Sequence, residues 1–224
     1  MRGRVAGEVG DAPRRAEMVE RQIVARGVRD PRVLEAMHSV PRHLFVPEAL
    51  REEAYEDRPL PIGEGQTISQ PYMVAAMTAA LDLTPTARVL EVGTGSGYQA
   101  AVLSCLAREV ITIERHEPLA ARAREILQQL AYSNVRVVVG DGSLGFPEAQ
   151  PFDGIIVTAA APQVPVTLRE QLAEGGRLVV PVGTLTFQEL IVETRHGSGY
   201  ARVVHEGCVF VPLIGAFGYP ERPW

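Results

Sequence analysis

With 224 residues, 46% of them hydrophobic, the chain is long enough for one large α/β domain, and one compact domain is expected. Its 22 basic and 27 acidic residues leave a net charge of −5, which offers no phosphate-tracking surface and excludes a nucleic-acid partner from the expectation. No run reaches the roughly 18 apolar residues that a membrane span needs, so a membrane partner is excluded in the same way.

Residues 1–17 mix Arg, Glu, Gly and Asp without an apolar stretch, as a loose extension does and a secretory signal does not; a cytoplasmic protein is expected. Helical periodicity follows at residues 18–26 and 33–38, after which Pro41, Pro47, Pro59, Pro61 and Pro71 break the chain into irregular pieces before a helix at 73–81. This stretch is expected to be a helical cover over the carboxyl edge of a sheet. From Arg88 onward, short β-rich apolar runs alternate with helical ones, which spells an α/β, doubly wound, mostly parallel sheet. The expected strands are residues 88–92, 110–113, 135–139, 152–157 and 177–180, with 190–193 and 208–211 completing the sheet. Helices are expected at 98–106, at 119–130, and at 166–172 with Gly175-Gly176 as its stop.

Cys105 and Cys208 have no second Cys or His at ligand spacing, so buried free thiols are expected and no metal. His38, His43, His116, His196 and His205 are scattered and read as surface or loop residues, and Arg14-Arg15 and Arg122/Arg124 read as solvated charge.

The strongest local signal is Glu91-Val92-Gly93-Thr94-Gly95-Ser96-Gly97-Tyr98, which ends a strand and opens a helix. Its glycines let the backbone turn sharply and approach a ligand without a Cβ in the way. The third glycine comes one residue early for Gly-x-Gly-x-x-Gly, and no Gly-Lys-Ser/Thr ending follows. That spacing disfavours dinucleotides and nucleoside triphosphates and leaves a nucleoside with an amino-acid tail, of which S-adenosylmethionine is the common one. Glu114 lies about 20 residues beyond the first glycine, at a second strand end where a carboxylate can accept from both ribose hydroxyls. Asp141-Gly142 ends the third strand and can hold the adenine edge. Each residue alone has a plainer reading, as a packing glycine, a solvated strand end or a turn residue. Their register on three successive strands is what specifies a site.

Over residues 18–215 the chain also resembles the protein-L-isoaspartate O-methyltransferases. Besides the glycine loop, the matching stretches are Val40-Pro41-Arg42, Leu60-Pro61-Ile62-Gly63, Gln66-Thr67-Ile68-Ser69-Gln70-Pro71, Gly140-Asp141-Gly142, Asp153 to Ala160, Pro181-Val182-Gly183 and Phe210-Val211-Pro212-Leu213. The Thr-Ile-Ser-Gln-Pro stretch is the most specific, because general methyltransferases share the glycine loop without it. The resemblance implies a seven-stranded, Rossmann-like sheet of the class I S-adenosylmethionine-dependent type. It divides the single domain 18–224 into a cover and catalytic segment (18–87), a cofactor-binding sheet (88–215) and a tail (216–224). It makes Ser69 the catalytic residue, although from spacing alone Ser69 reads equally well as a turn or helix-cap residue.

By the same resemblance Thr67, Ile68 and Gln70 face the cofactor, together with Glu91, Gly93, Thr94, Gly95, Ser96, Gly97, Glu114, Asp141, Gly142, Thr158 and Gln188. Ile68, Ser69, Val211, Pro212 and Leu213 then form the peptide groove. The implied activity is methyl transfer from S-adenosylmethionine to the free α-carboxylate of L-isoaspartyl residues in damaged proteins, by a monomer that releases S-adenosylhomocysteine. Two departures stand out: Ser143-Leu144-Gly145 lacks an aromatic residue frequent after Asp-Gly, and the tail 216–224 is this chain's own. The alternatives are an aspartate O-methyltransferase that tailors one peptide in biosynthesis, a cofactor-binding protein without turnover, and an RNA methyltransferase.

Overall fold

The computed structural model of the chain describes residues 8–221. It begins with α1 (Glu8–Met18), a π turn at Val19–Ile23 and α2 (Pro31–Ser39). Asp30 starts α2 by accepting the Arg32 amide, while Pro31 supplies a first helical residue that has no amide to leave unpaired. Pro41 and Pro47 limit the next stretch to two 3-10 turns, Arg42–Phe45 and Glu48–Glu53. β1 (Leu60–Gly63) and β2 (Gln66–Ile68) then form a small antiparallel hairpin that leads into α3 (Pro71–Ala80).

The remaining chain supplies β3 (Arg88–Val92), α4 (Tyr98–Ser104), β4 (Glu109–Glu114), α5 (Glu117–Gln129) and β5 (Val135–Val139). After these come β6 (Phe152–Val157), α6 (Val166–Glu170), β7 (Leu172–Gly183), β8 (Gln188–His196) and β9 (Gly199–Cys208). Strands β3 to β9 make one seven-stranded sheet in the order β5-β4-β3-β6-β7-β8-β9, parallel as far as β7 and antiparallel beyond it. The period of two along each strand divides the core. Val89, Val110, Ile156 and Val192 share one apolar cluster with the N-terminal helices, α3 and α4, whereas Leu90, Ile111, Ile155 and Ile191 share the other with α6. From β3 the chain proceeds outward to β4 and β5, then returns to β6 and β7 on the other side. That switch opens a crevice at the carboxyl ends of β3 and β6. No helix among the described residues is long and apolar enough to cross a membrane.

Several expectations are corrected. Of the supposedly loose residues 1–17, residues 1–7 lie outside the described chain, and from Glu8 the rest is helical. Met18 is buried, the Asp11 carboxylate lies 3.5 Å from His43 Nε2, and the Arg14 guanidinium lies 5.6 Å over the Tyr55 ring, so this helix has its own docking contacts. The cover packs on one face of the sheet and sends the β1–β2 hairpin to the carboxyl edge. Gly175-Gly176 lies inside β7, because α6 already ends at Glu170. The last strand runs from Gly199 to Cys208, an exposed edge whose polar residues hide its period. His43 is buried with its Nδ1 2.7 Å from the Tyr55 hydroxyl, Arg15 bonds the His38 carbonyl, Arg122 donates to the Ile62 carbonyl at 3.2 Å, and Cys105 is exposed.

Candidate active site

The carboxyl ends of β3, β4, β5 and β6 converge on a cavity of about 520 Å³. Its floor is the glycine loop, tied to β4 by the Gly93 and Thr94 amides, which donate to the Ile113 carbonyl at 2.8 and 3.2 Å. Thr158, just past the end of β6, donates its hydroxyl to the Gly93 carbonyl at 2.6 Å. A Cβ at residue 93 would collide with that same hydroxyl, and its φ of 99° independently requires glycine.

Glu114 braces the loop from the side. One carboxylate oxygen accepts the Gly95 amide at 2.8 Å and the other the His116 amide at 3.0 Å, so each keeps a lone pair for a ligand hydroxyl. Glu91 is different. It is fully buried in the cavity wall, and neither oxygen meets a donor at bonding geometry, the neighbouring Thr112 hydroxyl being paired with Thr94 at 2.6 Å. Burial pushes its carboxyl up to about 8; the Thr112 hydroxyl opposes the rise and the charge of Glu114 adds to it.

The opposite wall comes from connecting segments. Ser69 follows β2, half-buried, with no described protein group bonded to its hydroxyl. The N-cap of α3 is Gln70, with Pro71 next, which removes the helix-cap reading of Ser69. Val211 to Leu213 are held in place by Ala160, whose amide donates to the Val211 carbonyl at 2.8 Å and whose carbonyl accepts the Leu213 amide at 2.7 Å.

Of the expected site residues, all line this one cavity except Gln70, Gly97, Asp141 and Gln188. Gln70 turns its amide to the Asp57 carbonyl at 3.1 Å. Gly97 is the left-handed residue before α4 and backs onto Ala123 and Leu127 of α5. The Asp141 carboxylate accepts the Ser143 amide and hydroxyl at 2.9 and 2.7 Å and the Ala216 amide at 2.8 Å. Burial works against its charge, yet the Ala216 and Ser143 donors outweigh it and hold the group below its ordinary range. Gln188 is fully buried: its side-chain oxygen accepts the Phe210 amide at 2.8 Å, and its nitrogen donates to the Thr184 carbonyl.

Other wall residues were not expected from sequence. Arg115 and His116 follow Glu114 directly; Arg115 bridges to Glu221 at 2.6 Å and His116 faces Glu64 at 4.0 Å. Their place at the tip of an expected strand was the available signal. Leu185, Tyr219 and Pro220 also line the cavity, the Tyr219 hydroxyl donating to the Gly183 carbonyl at 2.5 Å, and no local pattern marks them.

A family model described as protein-L-isoaspartate(D-aspartate) O-methyltransferase matches residues 13–217. A protein-L-isoaspartate O-methyltransferase of Methanoregula boonei is 56% identical over 205 residues, covering 92% of this chain and 94% of that protein. A relative from Syntrophobacter fumaroxidans, protein-L-isoaspartate O-methyltransferase 1, is also 56% identical over 205 residues, with 92% and 96% covered. Among solved structures, a protein-L-isoaspartate O-methyltransferase superposes with a TM-score of 0.81 at 30% identity over 91% of this chain and 67% of its own. A Plasmodium falciparum structure in complex with S-adenosyl-L-homocysteine, described as a protein-L-isoaspartate O-methyltransferase, gives 0.76 at 26% identity over 90% and 98%. Likeness of this extent leaves one placement: the chain belongs to the protein-L-isoaspartate(D-aspartate) O-methyltransferase family.

Proposed function

We propose that the chain transfers the methyl group of S-adenosylmethionine to the free α-carboxylate of L-isoaspartyl residues in damaged proteins, releasing S-adenosylhomocysteine. The observation that carries this reading is that Ser69 shares one cavity with the glycine loop and the unpartnered Glu91 carboxylate.

The residues present fit the cofactor. A buried carboxylate without a partner is costly unless a cation completes it, and the ammonium of a methionyl tail is such a cation. Gly93 and Gly95 admit that tail close to the backbone, Glu114 has lone pairs for the ribose hydroxyls, and Ile113 with Gly142 offers adenine an apolar wall. When bound, S-adenosylmethionine supplies an electrophilic methyl carbon on a sulfonium.

The chain's own task is then alignment. A peptide α-carboxyl has a pKa of about 3.3 to 3.7, so it is ionised at neutral pH and no general base is needed. The Ser69 hydroxyl donates one hydrogen bond to that carboxylate and aims its other oxygen along the line of transfer. Ile68 and Val211 to Leu213 wall out water, which favours a reaction in which opposite charges cancel. Alignment of this kind is worth up to about 7–11 kcal/mol in intramolecular reactions. The amide nitrogen of the following residue then attacks the ester carbonyl without the enzyme, expelling methanol and closing a succinimide, and hydrolysis by water returns part of it to normal aspartate.

The reading extends to a monomer in the cytoplasm, where two cysteines that form no disulfide suit a reducing compartment. It leaves out nucleic acid, because the carboxylates of Glu64, Glu114 and Glu221 outnumber the Arg115 guanidinium on the cavity wall. The deciding assay presents an isoaspartyl peptide and its aspartyl twin with labelled cofactor. Methyl transfer to the isoaspartyl peptide alone is expected, and transfer to the aspartyl twin would overturn the repair reading.

A further inference from the structure

Beside the substrate wall lies an apolar lip that the chemistry above does not use. Although 22% of the chain is charged, neither 184–188 nor 207–220 contains a charged residue. The two stretches lie side by side. Gln188 pairs with Cys208 in the β8–β9 ladder, and the Phe187 ring covers Gly207 so closely that a Cβ there would stand 2.9 Å from its edge.

Between β7 and β8 the chain reverses in a tight turn, where the Thr184 amide donates to the Phe187 carbonyl at 2.9 Å and the Phe187 amide to the Thr184 hydroxyl at 3.2 Å. This turn holds Leu185 and Phe187 outward, 40% and 58% exposed, next to Val209 at 71%. Leu185 is at the same time part of the cavity wall, with Val211 to Leu213, so the lip continues the site outward.

We propose that this lip is a docking surface for the peptide substrate, and that it selects an apolar side chain two or three places from the isoaspartyl residue. The inference rests on the isoaspartyl reading of the cavity. About 520 Å³ must hold the cofactor and the reacting residue, which leaves the flanks of the peptide outside. An extended peptide advances about 3.3 Å per residue, so the second and third neighbours are the ones that clear the mouth and cross the lip. A leucine there covers Phe187 and Val209. A charged or hydroxylated side chain loses water to a surface that returns no hydrogen bond. Exposed apolar patches held rigid beside a site mark interaction surfaces more often than isolated apolar residues do.

The test uses isoaspartyl peptides that differ only in carrying leucine or serine at the second and third positions on either side. The full chain should prefer a leucine peptide by about tenfold in kcat/KM, the order expected for one partly buried apolar side chain. In Phe187→Ser and Val209→Ser that ratio should fall toward about one, with S-adenosylhomocysteine affinity retained as the control for folding. Equal rates for leucine and serine peptides in the unaltered chain, or a preference that survives both substitutions, would overturn the proposal. A dimer in sedimentation that Phe187→Ser dissolves would overturn it too, by making a second copy the occupant. Failure to methylate any isoaspartyl peptide would sink the reading of the cavity itself, which separates the two outcomes.

Discussion

On the sheet side of the cavity, Glu91, Gly93 and Glu114 stand at or just beyond strand ends whose positions are fixed by neighbours on both flanks. On the other side, Ser69 and the 211–213 segment belong to connections, held by a three-residue strand and by two hydrogen bonds to Ala160. The first side is buried and polar, with Glu91 fully enclosed; the second is half-open and mostly apolar. The contrast assigns them different work. A pre-set polar wall suits a cofactor that is always the same, and a wall of connections suits peptides that differ from one turnover to the next.

The largest separation of the two walls comes from Ser69→Ala. Loss of the hydroxyl proposed to align the carboxylate should lower kcat by about a hundredfold, the size of effect that misplacement of reacting atoms produces. Cofactor affinity by calorimetry should hardly move, and an unaltered kcat would remove Ser69 from catalysis. Glu114→Ala should do the reverse. It deletes a charged acceptor that also pins the Gly95 amide, so the cofactor Kd should weaken by roughly 10- to 100-fold, the scale of charge-assisted hydrogen bonds. A Kd that stays put would refute its assignment to the ribose.

The same division governs what the sequence made legible. Strands β3 and β6 fall on the expected residues because central strands, apolar on one or both faces, spell themselves as short runs bounded by Gly or Pro, and β5, at the sheet's edge, does so through its valine-rich run ending at Gly140-Asp141. The glycine loop and Glu114 were legible for the same reason, since they are strand ends. The β1–β2 hairpin was not, because two strands of four and three residues are too short to show a period. The tail was not either: its return to the cavity depends on Asp141 accepting the Ala216 amide 75 residues away, and local spacing carries no trace of that. The burial of Arg42 has no local signal either. Arginine reads as surface, yet here it is fully buried, its guanidinium 4.9 Å over the Tyr98 ring and its Nε donating to the Ala54 carbonyl at 2.7 Å, and burial brings its pKa down to about 10.

Glu91→Gln probes the sheet side through protons. In the cofactor-free chain its carboxyl is raised from 4.5 to about 8, so the folded state keeps a proton that the unfolded state has already given up. Its contribution to stability is therefore complete below about pH 4.5 and is lost as pH rises through about 8. Urea midpoints of the unaltered chain should fall over that interval, and Glu91→Gln should flatten the fall. Cofactor binding at pH 7 should also expel the proton, visible as a calorimetric heat that changes with buffer. The Gln variant should lose that dependence and bind about tenfold more weakly. Binding heats that are the same in all buffers for the unaltered chain would show that Glu91 does not face the ammonium.

The smallest effect tests the joint between the walls. Gln188 links the Thr184 turn to the start of the 210–213 segment, and neither of its bonds points into the cavity. Gln188→Ala leaves the Phe210 amide and the Thr184 carbonyl without their partner, which should cost about 1–3 kcal/mol in urea unfolding. Because the loosened segment carries Val211 to Leu213, peptide KM should rise severalfold while cofactor Kd shifts by less than about twofold, as expected when only a neighbouring contact relaxes. If the cofactor Kd weakened and peptide KM held, Gln188 would belong to the cofactor wall, and the boundary between the fixed and the adaptable side would move from β6 to the β7–β8 turn.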